Sequence, residues 1–130
     1  MAEIFEHNKA IDIADLPDHP IPAVNGLDLL TVKKVGGADL IVVIAEPIDG
    51  SEFSQNRLLT KMKNYFGFIN SSAYQLQASV KPTPSNTKVI VKIHPKSSDA
   101  YIDLLSRCEP WAIENNCSLE MQVLTDKELG

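Results

Sequence analysis

Residues 42–70, VVIAEPIDGSEFSQNRLLTKMKNYFGFIN, decide most of the fold because they run from an apolar strand through an acidic turn into a long helix. The apolar residues of the second half recur at helical spacing and form one stripe: Leu58, Leu59, Met62, Tyr65, Phe66 and Ile69. The opposite side carries Arg57, Lys61, Lys63 and Asn64, which we expect in solvent. The pattern predicts an amphipathic helix over about residues 51–70, with Ser51 as its N-cap.

The segment before this helix has the pattern of a β-hairpin. LDLLTVKKV at 27–35 and DLIVVIA at 39–45 are joined by Gly36 and Gly37, and paired glycines accept the positive φ of tight hairpin turns. After the helix, AYQLQASVK at 73–81 and KVIVKIH at 88–94 alternate apolar and polar residues, which predicts a second hairpin around KPTPSN. A second helix is expected over about residues 97–116, kinked or split at Pro110, and LEMQV at 119–123 is expected as the last strand.

The predicted order is therefore ββαββαβ, an α+β fold. Its last six elements match the ferredoxin-like split βαβ arrangement, a two-layer sandwich with both helices on one face of an antiparallel sheet and an extra N-terminal strand. At 130 residues the chain is expected to form one such domain, over residues 27–130. Residues 1–26 differ, because Pro17, Pro20 and Pro22 favour an extended path, and we interpret them as a proline-rich N-terminal arm.

Charge and composition limit the possible partners and the compartment. The net charge of −5 disfavours nonspecific nucleic-acid binding, which depends on Lys and Arg neutralising phosphates, and it suits a basic partner. Cys108 and Cys117 are nine residues apart and point to opposite sides of a helix, so we expect reduced thiols in a cytoplasmic protein. The first residues lack the pattern of a signal peptide, and no segment reaches the length of a membrane span.

The acidic turn raises the question of an active site. In the predicted topology one edge of the sheet collects a possible ligand rim, made of Glu46, Asp49, Glu52, Lys81 and Cys117. His94 is expected at the opposite edge, about 17–20 Å away, which would exclude its pairing with Asp49 or Cys117. The first turn of a helix favours acidic side chains, so a structural role is the simpler interpretation of Asp49 and Glu52.

Other motifs do not indicate catalysis, a metal site or a cofactor. His7, His19 and His94 lack metal-binding spacing, and VGGAD is not a phosphate-binding loop. The Lys residues along the second predicted hairpin lack the exposed aromatic residues on which nucleic-acid platforms stack bases. A possible protein interface is formed by Phe68, which lies off the apolar stripe, and by Lys88, Ile90 and Lys92, which are expected on the free face of the sheet.

The run LIVVIAEPIDGSEFSQNRLLTKMKNYFGFINSS at 40–72 resembles a family of small bacterial proteins known only as a domain of unknown function. The resemblance covers about residues 27–125 and is carried by hydrophobic spacing, with a helix similar to LLTKMKNYFGFI at 58–69. The arm and Pro110 depart from the family pattern. The resemblance implies a hairpin, a long helix, a second hairpin, a second helix and a strand, and it implies no activity, cofactor or catalytic residue.

Two hypotheses follow for the function. The first is a protein-binding or assembly module, acting as a homodimer or as a subunit or acidic inhibitor of another protein. It rests on the small size, on the lack of a convergent catalytic set, and on an arm that could pack on a neighbour. The second is a small-molecule or metal-binding domain, or an enzyme, that uses the acidic rim. This second hypothesis requires the rim side chains to converge on one cleft.

Overall fold

The computed structural model describes residues 16–129. Within them the chain forms strands β1 (Leu29–Val32) and β2 (Ala38–Ile44), helices α1 (Glu52–Ile69) and α2 (Ser72–Ala78), and strand β3 (Thr87–Ile93). Helix α3 (Ala100–Glu114), strand β4 (Ser118–Val123) and the short helix α4 (Asp126–Leu129) follow. The chain is thus a mixed α and β fold built on a four-stranded sheet.

The strand order is β1-β2-β3-β4, and only the first pair is antiparallel. Strand β2 runs parallel to β3, with Ile44 opposite Ile93, and β3 runs parallel to β4, with Ile93 opposite Val123. Both parallel connections advance in the same direction along the sheet. Because such crossovers are right-handed, α1, α2 and α3 lie on one face. The core between the layers includes Leu40, Val42, Val89 and Val91, which are fully buried.

The first hairpin and the long helix are confirmed. Gly36 and Gly37 have φ of 96° and 92°, and the amide of Lys33 donates to the carbonyl of Gly37 across the turn. The oxygen of Ser51 accepts a hydrogen bond from the amide of Ser54, so Ser51 is the N-cap of α1. Strands β3 and β4 lie where their alternating patterns predict them. Helix α3 continues through Pro110, so the predicted split is wrong, and the alternative of a kink at Pro110 stays a prediction.

The predicted strand at 73–81 is wrong, because most of this segment is helix α2. The hydroxyl of Ser71 accepts a hydrogen bond from the amide of Tyr74, which caps the start, and Ser79 ends the helix in a left-handed conformation with φ of 67°. Tyr74 and Ala78, four residues apart, are buried, whereas Leu76 is exposed. The segment therefore buries one face of a helix and not one face of a strand, because Ser71 and Ser79 cap the two ends of a short helix.

This one helix changes the topology. Without a strand at 73–81 the chain does not turn back beside β2, and β3 starts at the amino end of β2 and runs parallel to it. The expected ferredoxin-like antiparallel sheet is therefore not the sheet that residues 16–129 form. The free face of this sheet still carries alternate polar residues, namely Lys88, Lys92, Glu120 and Gln122, as a half-exposed sheet requires.

The described part of the arm, residues 16–26, packs on the domain. Ile21 and Val24 are fully buried in the same core as the sheet and α1. The guanidinium of Arg57 donates to the carbonyl of Ile21, and the ammonium of Lys61 donates to the carbonyl of Ala23 at 2.6 Å. Arg57 and Lys61 are each only 2% exposed, so the expectation that both lie in solvent is wrong.

Candidate functional site

The five residues of the predicted ligand rim lie at two opposite ends of the sheet. Glu46, Asp49 and Glu52 follow the carboxyl end of β2, and all three are exposed. Lys81 precedes β3 and Cys117 precedes β4, which places both at the amino ends of the parallel strands. Seven-residue strands separate the two ends by about 20 Å. The predicted rim therefore does not form one cleft. Because β3 runs parallel to β2, Lys81 and Cys117 lie at the end of the sheet opposite to the acidic residues.

The parallel direction of β3 also moves His94. This residue follows β3 and therefore lies at the end of the sheet that holds Glu46 and Asp49. The expected separation of His94 from the acidic turn by a strand length is wrong. The ring nitrogen Nδ1 of His94 accepts a hydrogen bond from the amide of Lys96 at 3.0 Å. The amide of Ile48 donates to the hydroxyl of Ser97, which ties the two loops together beside this histidine.

The acidic turn is organised as the start of α1. One carboxylate oxygen of Asp49 accepts hydrogen bonds from the amide and the hydroxyl of Ser51, at 3.0 and 2.5 Å. These hydrogen bonds from Ser51 lower the pKa of Asp49. The hydroxyl of Tyr101 on α3 donates to the backbone carbonyl of Asp49 at 2.6 Å, and this joins α3 to the same turn. The carboxylate oxygen and the backbone carbonyl oxygen of Asp49 thus both stabilise the turn that positions the helix.

One pair at this end has the residue types of a nucleophile and its base, and it is not predicted from the sequence. The ring nitrogen Nε2 of His19 lies 3.0 Å from the hydroxyl of Ser54, which is 3% exposed. Ser54 is the third residue of α1, and His19 reaches it because the arm packs on this helix. The spacing of 35 residues has no local signature, so only the packing of the arm could reveal the pair.

The hydrogen bonds of His19 determine what the pair can do. Its Nδ1 accepts a hydrogen bond from the amide of Ile21 at 2.9 Å, so Nδ1 carries no proton. Burial lowers the pKa of His19, and the charge of Arg57 acts in the same direction, so the ring is neutral at pH 7. The single proton is then on Nε2, which donates it to Ser54. A base that donates to the hydroxyl cannot accept its proton, so this tautomer does not activate Ser54 as a nucleophile.

Among the clefts lined by residues 16–129, two lie near the ends of the sheet. One, about 80 Å³ in volume, lies between the carboxyl ends of β3 and β4 and the start of α3, and includes Tyr101 and Met121. The other, about 350 Å³, is open and is lined by the polar or small residues Asn70, Gln75, Lys81, Pro82 and Asn116. In parallel sheets ligands bind where the strand order reverses, and β2, β3 and β4 follow one another without reversal. Neither cleft has the position that this architecture uses for ligands.

The cysteines and acidic residues show no metal site. Between Leu16 and Leu129 no three His, Cys, Asp or Glu side chains are grouped closely enough to hold a metal ion. Cys108 and Cys117 are both unpaired and buried. Burial raises the pKa of the Cys117 thiol to about 12, and its sulfur lies 3.4 Å from the carbonyl of Ala112. A protonated, enclosed thiol is not a reactive one.

The predicted interface residues do not share a surface. Phe68 lies in the helical layer, half-buried, and packs edge-on against Tyr74. Lys88, Ile90 and Lys92 lie on the free face of β3, where Ile90 is only 8% exposed. Lys88 pairs with Glu120 at 3.0 Å and Lys92 pairs with Glu128 at 2.6 Å. The face predicted for protein contact is thus largely occupied by its own ion pairs.

A different surface combines an outer strand edge, which no strand among residues 16–129 pairs with, and exposed apolar side chains. Ile102 and Ile113 on α3 are 58% and 57% exposed, and Val123 on β4 is 53% exposed. Trp111 packs against Phe66 of α1, and both isoleucines lie about 180–200° around α3 from Trp111. They therefore face away from α1, on the β4 side, and Ile102 lines the same cleft as Met121 and Val123. We define the β4 flank as Ile102, Ile113, Leu119, Met121 and Val123.

Comparison with known proteins finds no family model, no curated protein and no solved structure that matches this chain. The resemblance of residues 27–125 to an uncharacterised bacterial family stays a prediction. No helix within the described part of the chain combines the length and the apolar composition needed to cross a membrane.

Proposed function

We propose that this protein is an assembly module that acts by contact with another protein chain through the β4 flank. The observation that carries the proposal is the position of three highly exposed apolar side chains, Ile102, Ile113 and Val123, beside the outer edge of the last strand. Exposed apolar side chains next to an open strand edge are typical of protein contact sites, and Ile102 and Val123 line one cleft. The two reduced, buried cysteines are consistent with a protein of the cytoplasm.

The proposal favours binding over catalysis for a physical reason. The predicted rim residues lie at opposite ends of the sheet, and the tautomer of His19 does not activate Ser54. Asp49 accepts hydrogen bonds from Ser51, the N-cap of α1, and Glu52 lies in the first turn of this helix. The net charge of −5 is consistent with a protein partner rather than a nucleic acid.

The test compares two substitutions of the same kind. Val123→Lys places a charge in the β4 flank, whereas Val35→Lys places one in the hairpin turn, where Val35 is 91% exposed. Each variant and the wild type are immobilised, exposed to extract of the source organism, and measured separately by light scattering over a concentration series. We expect Val123→Lys to weaken the association by at least about tenfold, and Val35→Lys to leave it unchanged.

The proposal is supported by an association that Val123→Lys removes and Val35→Lys retains. The bound chain can be a second copy or a different protein. If both lysine variants bind as the wild type does, the contact surface lies elsewhere and the proposal fails. It also fails if the wild type remains monomeric and retains no protein in stoichiometric amount.

A further inference from the structure

We infer that the chain which covers the β4 flank is a second copy of this protein, paired through β4 in a two-fold dimer with Met121 on the axis. The inference rests on the proposed function and names its partner. It joins the two four-stranded sheets into one continuous sheet of eight strands.

The backbone of β4 is arranged for such pairing. The amide of Leu124 donates to the carbonyl of Ile93 on β3 at 2.9 Å. Because backbone groups of successive strand residues point to alternate sides, the groups of Gln122 and Leu124 point towards β3. Those of Leu119, Met121 and Val123 then point outward, and β4 is the last strand in the sheet formed by the described residues.

Only certain registers bring outward groups together. In an antiparallel pair, opposite residues lie on the same face of the sheet, so a two-fold axis must pass through a residue and not between residues. With the axis at Met121, Leu119 lies opposite Val123 of the second copy, and Met121 lies opposite Met121. These are the hydrogen-bonded positions on both strands, so each of three residue pairs exchanges two backbone hydrogen bonds. This register pairs residues 119–123 of β4 with the same five residues of the second copy, and Ser118 lies opposite Leu124, just after the strand.

The side chains favour the same register. With the axis at Met121, apolar residues meet on the helical face, and Glu120 lies opposite Gln122 of the second copy on the free face. An axis at Glu120 instead places two carboxylates opposite one another, which destabilises a sheet. Hydrogen bonds from Gln122 and Lys88 lower the pKa of Glu120, so both carboxylates are charged at pH 7. An axis at Gln122 places Leu119 opposite Thr125, beyond the end of the strand.

The helical layer adds a second set of contacts. Helix α3 begins after β3 and ends before β4, so it runs antiparallel to β4. Ile102 therefore lies towards the carboxyl end of β4 and Ile113 towards its amino end. The two-fold axis brings Ile102 of each copy to the side of Ile113 of the other. A six-residue strand with one helix flank gives an interface near the lower limit of specific contacts, about 1,000–1,200 Å², so we expect a micromolar dissociation constant.

The opposite edge of the sheet is less suited to this role. Strand β1 has four residues and is followed by Lys33 and Lys34, and short edge strands with lysines resist pairing. Strand β4 has six residues and no lysine. The two edges thus differ in length and charge in the direction that favours β4.

The experiment is a cysteine cross-link that reads the register. Met121→Cys places two sulfurs on the axis at a hydrogen-bonded pair, whose Cα atoms are about 5.5 Å apart and can form a disulfide. Gln122→Cys is the matched control, because its two copies are offset by two residues along the strand and about 8 Å apart, beyond disulfide reach. Wild type is the second control, since its own thiols are buried. The variants are oxidised mildly, separated without reductant, and compared with wild-type sedimentation over a concentration series.

We expect Met121→Cys to form a covalent dimer at least about tenfold more efficiently than Gln122→Cys, in the range where the wild type self-associates. Self-association that depends on Val123 but gives equal cross-linking of both variants would overturn the register and leave the proposed function intact. A wild type that is monomeric over the whole series, with no Met121→Cys dimer, overturns the inference. The proposed function is then decided by whether a different chain binds in a manner that Val123→Lys abolishes.

Discussion

The ammonium of Lys61 is one of two buried charges that fasten the arm to α1, with the guanidinium of Arg57, and replacing it tests how the arm is held. Its Nζ lies 2.6 Å from the carboxylate of Asp28 and 2.6 Å from the carbonyl of Ala23, and its side chain is 2% exposed. Asp28 is 26% exposed and also accepts a hydrogen bond from the amide of Val43. We predict that Lys61→Met destabilises the protein, because it leaves one carboxylate oxygen of Asp28 and the carbonyl of Ala23 without their donor.

The magnitude follows from the burial of the two partners. Removing one member of a fully buried ion pair costs about 3–5 kcal/mol, because the other charge is left without compensation. Here Asp28 is partly exposed and can be rehydrated, so we expect a loss of about 2–3 kcal/mol in the free energy of unfolding. Met retains the length of the side chain and has a similar helix propensity, so packing and helix formation change little. In thermal unfolding the loss corresponds to a decrease in Tm of about 6–12 °C.

The assay is urea unfolding followed by circular dichroism, with Lys63→Met as the matched control. Lys63 lies on the same helix and is exposed, so its replacement should change the free energy of unfolding by less than about 0.5 kcal/mol. Adding Asp28→Asn to Lys61→Met should recover part of the loss, because the uncompensated carboxylate is removed. If Lys61→Met is no more destabilising than Lys63→Met, the buried ammonium does not hold the arm and the reasoning is wrong.

Two further predictions concern the hairpin and the buried thiol. Gly37→Ala should destabilise the protein by about 2–4 kcal/mol in urea unfolding, because φ is 92° and the added methyl group overlaps the backbone carbonyl of Asn86. Gly26→Ala, where no atom lies within 4 Å of the new methyl group, should be nearly neutral, and equal effects at the two glycines would contradict this explanation. Cys117 should resist thiol reagents at pH 8 until the protein unfolds, because burial raises the pKa of its thiol to about 12. The folded thiol keeps its proton where the unfolded one loses it, so stability should fall as the pH rises above about 9, and less steeply in Cys117→Ala; identical slopes would refute this.

Local patterns predicted most of the individual elements. The stripe of α1 and the alternation of β3 and β4 reflect burial of one face, and the glycine pair reflects the positive φ of the hairpin turn. The sequence encodes both directly. The segment 72–78 was mispredicted because it satisfies two periods at once. Its apolar positions alternate as in a strand, yet Tyr74 and Ala78 are also one helical turn apart between two capping serines. Over so short a segment, the alternation of apolar and polar residues does not distinguish a strand from a helix.

That one element determined at which end of the sheet Lys81, His94 and Cys117 lie. A strand at 73–81 would have placed Lys81 at the end of the sheet that holds Glu46, and His94 at the opposite end. A helix in its place gives the opposite arrangement, because it makes β3 parallel to β2. The positions of site residues thus depend on strand direction, a property of the whole chain. The N-cap role of Ser51, which depends only on neighbouring residues, was predicted correctly.

The position of the arm has a physical signal that amphipathic analysis does not detect. Arg57, Lys61 and Asn64 are spaced by four and three residues, so they form one polar stripe along α1. An extended, proline-rich segment has backbone carbonyls without partners in a sheet, and the three side chains donate to the carbonyls of Ile21, Ala23 and Val24. A stripe of long donors beside a proline-rich segment is therefore evidence for docking, because each carbonyl needs a donor when it is buried.

The arm and the β4 flank together give the two sides of the protein different roles. On the side of β1, donors from α1 fasten residues 16–28 against the helix, and Asp28 continues the hydrogen bonding of β2 by accepting from the amide of Val43. On the side of β4, the outward backbone groups of the last strand and the side chains of Ile102 and Ile113 have no corresponding cover among residues 16–129. Burying strand edges and apolar surface stabilises a fold, so the edge of β4 beside the exposed isoleucines is the surface that we propose for contact between chains. The difference between the two sides therefore supports the proposal that the contact is made at β4, where Val123→Lys and Met121→Cys test it.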